Sequence, residues 1–591
     1  MKTTPKFLTV MKSNPLNRFR SARAAALTTS LILLACGSAH AVDISAINGS
    51  QVSPEDWNSA TWAAGKWSDS LAPSAGKTYS TGAFQIRTLN STTTDTTFAG
   101  DSLRIVAGGS LLLRNGNTNV VNGNLILDGG SLISGRPLNG GNAQDYVGNL
   151  NVASASFFDL TNGGAANQNR ISYFSGNFSG SGDITMSGQT NTDVFQFETA
   201  VVGSHTGNWT INGGRLVVVN DNNIGNTSRV TLGSASDAFL EIRSDQTIGS
   251  LSGNGTVQAT GTRVLTTGGD NTPTTFDGVI NSTISGLTKE GAGTFTLTNS
   301  HTFIGATLIN AGSLQLGNGG TTGALTGTSG ITNNANLTVN RSNAFTQATD
   351  LNNKAITGNG SFTQNGSGTT TLSLANTYIG ATTVNAGTLE VTGGAAIANT
   401  AAVSIASVAG ATLLVSASET IGSLSGGSGA NGAVTLGTNT LTVGDASTTT
   451  FGGTITGTLT TGTLVKQGAG VLNLAAGAVL GFDTLTATGG TTNVNSALGT
   501  GTGTGVVAVS GAGTKLRFGS VSQTLSSLSI GAGSEVVFTS GVASGAFSGG
   551  DKSAALGGGS AVVPEPGTLS LLLVGALGLL NRRRHPAKEA V

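Results

Sequence analysis

The sequence predicts an all-β chain wound into a β-solenoid. Three observations carry this. Glycine supplies 91 of the 591 residues, while charged residues make up only 9%. Apolar residues recur at every second position in short runs. Long stretches of the chain also repeat one another with the same spacing of glycines.

Thr, Ser, Asn and Gly fill the polar positions that Lys and Glu would fill on a helical surface. Thr suits strands, and Gly and Asn suit turns that need positive φ. The 28 basic and 28 acidic residues cancel. No basic stripe exists to neutralise phosphates, so nucleic acid is not an expected partner. The one cysteine, Cys36, lies within the export signal described next. The processed chain would then have no disulfide, thiolate metal site or thiol nucleophile.

The segment 1–41 reads as a signal peptide. Lys12, Arg18, Arg20 and Arg23 form a positive region, and Ala24 to Ala35 form an apolar one too short to span a bilayer comfortably. Ala39 and Ala41 flank His40 as the small residues that signal peptidase reads, which places cleavage after Ala41. Met11 gives a more usual start for such a segment than Met1. A lipoprotein-type cleavage before Cys36, after Leu33-Leu34-Ala35, is the competing reading.

Next comes a segment, 42–100, in which Trp57, Trp62 and Trp67 cluster. A solenoid needs its open end covered, because an exposed edge invites pairing. A tryptophan-containing N-terminal cap is the first reading of 42–100. A carbohydrate-stacking platform is the second, with Trp209 the fourth tryptophan of the chain.

The stretch 101–560 is the solenoid. Leu287 opens LTKEGAGTFTLTNSHTFIGATLINAGSLQL, and Phe362 opens FTQNGSGTTTLSLANTYIGATTVNAGTLEV. The two align over thirty residues without a gap, pairing Gly291, Gly293, Leu297, Gly312 and Leu314 with Gly366, Gly368, Leu372, Gly387 and Leu389. A degenerate third copy, LVKQGAGVLNL, starts at Leu464. A second unit recurs as QTIGSLS from Gln246, ETIGSLS from Glu419 and QTLSSLS from Gln523. Repeats thus lie near 246–316, 362–391 and 419–474. Within them Phe295 and Leu297, or Leu389 and Val391, alternate with polar residues, as strands with one buried face do. Asn310–Gly312 and Asn385–Gly387 fall between two such strands and read as turns. No amphipathic helix separates the strands, so a doubly wound sheet is excluded. A stack of coils closes a continuous core that one coil cannot close alone, which favours a solenoid over an elongated sandwich array.

These residues resemble the autotransporter-associated β-strand repeat, also called the passenger-associated transport repeat. The resemblance implies a right-handed parallel β-solenoid displayed outside a bacterial cell. Full autotransporters end in a membrane β-barrel. Here the chain ends instead in 561–591, with Pro564, Glu565 and Pro566, an apolar run from Leu569 to Leu580, and Arg582, Arg583 and Arg584 as a stop-transfer flank. This order resembles the PEP-CTERM sorting signal. That resemblance implies transient inner-membrane insertion and cleavage by an exosortase near Pro564-Glu565-Pro566. It also implies delivery to the envelope or matrix of a Gram-negative-type bacterium, in association with exopolysaccharide.

Chemistry-bearing residues are sparse. His205 and His301 stand far apart without cysteine or histidine at ligand spacing, so no zinc site is expected. His301 aligns with Asn376 and reads as a tolerated loop residue. Asp221 in VVVNDNN reads as a turn residue. Glu241 and Asp245, with Arg243 between them, read as a solvated, charge-paired loop. A calcium-dependent lyase would need more clustered acids and a basic catalytic residue. No catalytic, cofactor-binding or metal-binding residue is assigned. The expected function is a non-enzymatic structural or adhesive surface protein, with a polysaccharide-acting lyase or hydrolase on a β-helix as the alternative.

Overall fold

The computed structural model describes residues 42–46 and 67–562, apart from short stretches at 89–95, 114–117, 136–143, 162–170, 199–202, 222, 234–236, 459–460, 500–504, 520, 522, 540–542, 550–552 and 557–558. The strands are short, and their burial alternates. Ser313–Leu316, Thr388–Val391, Val471–Leu474 and Glu535–Phe538 all place residues two and four inside and residues one and three outside. That is the period of the strand pleat.

Each strand pairs in parallel with the equivalent strand one coil away. Thr294–Leu297 lies beside Ser313–Leu316, which lies beside Asn336–Val339, which lies beside Ser361–Gln364. One ladder of this kind runs from Gln85–Arg87 to Ser553–Leu556. Its successive strands start between 18 residues (Glu535 to Ser553) and 28 residues (Ser156 to Ile184) apart. A second ladder follows it around each coil, from Lys77–Ser80 to Val279–Ile280, and a further one from Phe345–Thr346 to Val479–Gly481. A third side carries Gln246–Thr247 to Ile356–Thr357, then Glu419–Ile421 to Ala543–Gly549. The product is the parallel β-solenoid expected from the sequence. The described helix content is one turn, Gln347–Asp350, capped by the Thr346 hydroxyl. The last two described strands, Ser553–Leu556 and Gly559–Val562, reverse direction and pair antiparallel.

The interior is a single stack of Leu, Ile, Val and Phe. Leu297 and Leu372 are both fully buried in it. Between Tyr146 and Trp209 the stack turns aromatic. Phe158 stacks on Phe195 at 4.5 Å, and Phe178 packs on Phe197 at 5.0 Å.

The thirty-residue repeat proves to be a corner, used over two successive coils. In the first copy, Ile284–Lys289 turns at 290–293 into Thr294–Leu297. One coil later Ala306–Ile309 turns at 310–312 into Ser313–Leu316. The short turn sits directly on the long one: a Cβ on Gly312 would meet the carbonyl oxygens of Gly291 and Gly293 at 2.5 Å. Gly312 also has φ +64°, so glycine is required twice over. Gly387 repeats this over Gly366 and Gly368, with φ +57°.

The two copies do not share a side of the coil. In the first, the strand after the corner belongs to the long ladder. In the second, the strand before it does, since Ser361–Gln364 pairs with Asn336–Val339. The module is turned by one face. A third corner joins Thr463–Lys466 to Val471–Leu474 and is followed by Thr484–Ala487 and Thr491–Val494. Gly490 there lies over Gly468 and Gly470. The third copy therefore reaches Val494, beyond the Leu474 at which the sequence match faded.

Each corner buries a hydrogen-bond donor. Lys289 is only 1% exposed, and its Nζ donates to the carbonyls of Gly291 at 2.8 Å and Ala311 at 3.2 Å, one from each stacked turn. Lys466 does the same with Gly468 and Gly489. In the second copy Gln364 takes this place, and its Nε2 donates to Gly366 at 2.7 Å and Gly368 at 3.2 Å. Burial pushes both lysines below the ordinary ammonium range. The carbonyl cradle stands where a carboxylate partner usually would.

Two outcomes follow for variants followed by urea melts and amide exchange. Leu297→Asp or Leu372→Asp buries an unpaired charge and costs more than about 4 kcal/mol, whereas Thr371→Ser on the outer face stays within about 0.5 kcal/mol. Lys289→Gln reproduces the second copy and is mild. Lys289→Leu strands the turn carbonyls and costs on the order of 1–3 kcal/mol, with exchange accelerating first at the 306–316 strands.

Candidate interaction face and buried polar groups

The outward side of the long ladder carries a column of short polar side chains. The register joins Thr185, Thr210, Thr231 and Ser252. It also joins Thr338, Thr363, Thr383, Ser404 and Ser425. The column ends in Thr450, Asn473, Asn493 and then Arg517. Rungs lie about 4.8 Å apart. Neighbours therefore bond to one another: Thr231 to Ser252 at 2.9 Å, and Asn493 Nδ2 to Asn473 Oδ1 at 2.7 Å. Like charges at this spacing would repel along the stack, which explains the low charge of the chain. From Thr185 to Asn493 the named members of the column are uncharged and rich in hydroxyls.

Trp67 and Trp209 do not belong to any such face. Both are fully buried. Trp67 packs edge-on against Tyr79 at 5.0 Å, and Tyr79 against Phe98 at 5.4 Å. Trp209 lies in the aromatic interior beside Phe158 and Phe178. Trp67 therefore takes no part in the expected carbohydrate platform, nor does Trp209, because neither ring meets solvent. Trp57 and Trp62 lie outside the described residues.

Glu241 is not in a solvated loop. It lies on the strand Ala238–Ile242 and is 3% exposed. Arg215 Nη1 reaches it at 3.1 Å and Arg243 Nε at 2.8 Å, while Gln258 and Thr260 donate as well. Burial pushes its carboxyl up, but these donors outweigh burial and hold it below the usual range. Asp245 is engaged elsewhere, accepting from the Val264 N–H at 2.9 Å. The pairing with Arg243 is thus real, but the carboxylate is saturated. Asp221 stands exposed in a turn, as its sequence suggests.

The two histidines are interior residues of separate coils. His205 Nε2 contacts the Gly182 carbonyl at 2.9 Å, and its ring lies 4.7 Å from Phe178. His301, read as a tolerated loop residue, is fully buried at the start of a coil side. Its Nδ1 accepts the Ile280 N–H at 3.2 Å. Asn376, its counterpart in the second copy, likewise accepts the Ile356 N–H at 2.8 Å. The alignment with asparagine signalled a shared hydrogen-bond acceptor, not tolerance. Gln523 and Glu419 serve similar inward posts, with Glu419 accepting from Ala396 and Ile397. Burial pushes the Glu419 carboxyl above its ordinary value. Among the described residues, no group of three or more His, Cys, Asp or Glu converges on a common point. No described helix is long and apolar enough to cross a membrane.

The processing residues Ala39, Ala41, Pro564, Glu565 and Pro566 lie outside the described residues, as do Cys36, the run Leu569 to Leu580, and Arg582, Arg583 and Arg584.

The fold and its stacked corners define a class, the β-helical repeat proteins. The passenger-associated-transport-repeat family model matches residues 179–218, 287–316 and 362–391. The PEP-CTERM protein-sorting motif matches residues 562–584. The chain carries both, and the motif implies processing by an exosortase. The match at 179–218 was missed in the sequence because the corner after Ile184–Ser187 is lengthened to 188–193. The surviving signal is INGGRL at Ile211–Leu216, which parallels INAGSL at Ile309–Leu314. Over 137 residues the chain is 36% identical to the adhesin BmaC autotransporter of Brucella suis biovar 1 (strain 1330). That stretch is 20% of this chain and spans 4% of the adhesin's length. No solved structure matches.

Acid should act through His301. Desolvation alone pushes its pKa down to about 3, whereas an unfolded histidine titrates near about 6.5. Between these values the unfolded chain binds the extra proton. Stability is therefore lost as pH falls from about 6.5 towards 3, by up to about 1.4 kcal/mol per pH unit. Thermal melts across this range should show the loss in the native chain and a smaller one in His301→Asn, which installs the acceptor used by the second copy.

Proposed function

We propose that the protein is an exported, non-enzymatic surface rod that adheres to, or spaces cells within, an extracellular polysaccharide matrix. The observation that carries this reading is the uncharged hydroxyl column on a long stacked ladder, in a chain that also bears passenger repeats and a sorting motif. A rod of stacked coils holds such a column rigid. Binding then pays little ordering entropy, and many weak contacts add along one extended ligand. The similarity to part of an adhesin supports the same reading. The scarcity of converging ionisable groups argues against catalysis.

In this reading signal peptidase cleaves after Ala41, and the segment 42–100 caps the first coils through the Trp67–Tyr79–Phe98 stack. The run Leu569 to Leu580 anchors transiently in the inner membrane against Arg582, Arg583 and Arg584, until an exosortase cuts near Pro564-Glu565-Pro566.

Fractionation of cells producing the full chain, or a chain ending at residue 561, tests the route. The full chain should reach the surface or medium with Val42 as its first residue by mass spectrometry. The truncated chain should accumulate in the periplasm. A lipid-modified start at Cys36, or equal surface delivery of both chains, would contradict this route. The purified protein should release no reducing ends from acidic or neutral polysaccharides, with or without calcium. Turnover lost on Glu241→Gln would instead establish the enzymatic alternative.

A further inference from the structure

At the C-terminal end of the hydroxyl column the pattern of side chains changes. Asn493 and Arg517 are neighbours in register on the outer face. The next outward position on three successive coils is Asn495, Gly519 and Thr539. Gly519 has no side chain between the other two. The gap is a shallow cavity of about 180 Å³ lined by Asn493, Asn495, Arg517, Phe518, Gly519 and Thr539. Its existence rests on that glycine, since a Cβ there would come within 2.5 Å of Asn495 Oδ1.

The polar groups around the gap are available. Among the described residues, neither the Arg517 guanidinium nor the Asn495 carboxamide has a hydrogen-bond or ion-pair partner. The acid on the next rung, Glu535, is occupied by Lys515 at 3.3 Å. Thr539 Oγ1 donates to the Phe518 carbonyl at 2.9 Å, which leaves its lone pairs free to accept. Asn493 Nδ2 is spent on Asn473, so its carbonyl oxygen is free to accept. An exposed, unpaired guanidinium beside amides and a hydroxyl matches one carboxylate flanked by sugar hydroxyls. The planar fork meets the two carboxylate oxygens, and the amide and hydroxyl groups meet the ring substituents. The cavity is smaller than a site for a free drug-sized ligand, about 300–1,000 Å³. It suits one residue of a longer chain whose neighbours lie along the column.

We propose that Asn493, Asn495, Arg517, Gly519 and Thr539 form a binding site for a uronate residue of an acidic polysaccharide. This rests on the reading of the protein as a matrix-contacting rod and names the ligand class for one point on it.

The test uses the purified exported chain with polygalacturonate, alginate and neutral dextran, read by affinity electrophoresis. Three variants are compared. Arg517→Gln removes the charge, Gly519→Val fills the gap without touching the charge, and Lys354→Gln removes a cation several coils away from the gap. Circular dichroism confirms that each retains the all-β spectrum. At least one of the two uronate polymers should bind the native chain more tightly than dextran. Arg517→Gln and Gly519→Val should each weaken that binding about tenfold or more, and Lys354→Gln should leave it unchanged. Equal binding of dextran, equal losses in Arg517→Gln and Lys354→Gln, an unaffected Gly519→Val, or failure to bind either uronate polymer would each overturn the site. Surface delivery in the fractionation experiment stands or falls separately.

Discussion

Parallel pairing between consecutive coils is the constraint from which the rest of the structure follows. No coil closes its own backbone hydrogen bonds. Each strand donates to and accepts from the coils before and after it, as Asn336–Val339 does between Ser313–Leu316 and Ser361–Gln364. Residues at equal positions are then stacked about 4.8 Å apart for the length of the ladder. Inside, this aligns apolar residues into one core. Outside, it penalises charge and rewards side chains that bond to their own kind, hence the threonine, serine and asparagine columns. Composition and architecture are two views of one spacing.

The corners carry the cost of that regularity. Two turns stacked directly on each other leave no room for Cβ atoms, which fixes Gly312 and Gly387. They also turn several carbonyls inward, away from water. A buried carbonyl without a donor is expensive, and Lys289, Lys466 and Gln364 supply the donor. Histidine, asparagine, glutamine and glutamate at His301, Asn376, Gln523 and Glu419 meet the converse need, accepting backbone N–H groups where a coil side begins. Most of the notable ionisable groups of the solenoid are thus spent on the backbone. Glu241, held by two arginines, is spent on tying neighbouring strands together.

What remains at the surface is a column of hydroxyl and amide side chains that leads to an unpaired arginine beside a glycine gap. The proposed extended, hydroxylated ligand is chosen for such a face because hydroxyl and amide side chains recur on it from coil to coil. Specificity would enter only where the repetition is broken, and Arg517 with Gly519 is such a break.

The sequence by itself determined the all-β class, the solenoid, the inward phase of Leu297 and Leu372, and the turns at 310–312 and 385–387. Each follows from local periodicity or from a glycine that only one backbone conformation explains. Three things were decided by tertiary structure alone. The first is the face that each repeat occupies, because the first and second copies share a motif yet sit one side apart, and the motif encodes a corner and not a compass direction. The second is the burial of Lys289, His301 and Glu241, each of which takes at least one partner from a coil about twenty residues away that leaves no trace in local spacing. The third is the gap at Gly519, which exists only because Asn495 and Thr539 arrive beside it from the coils on either side.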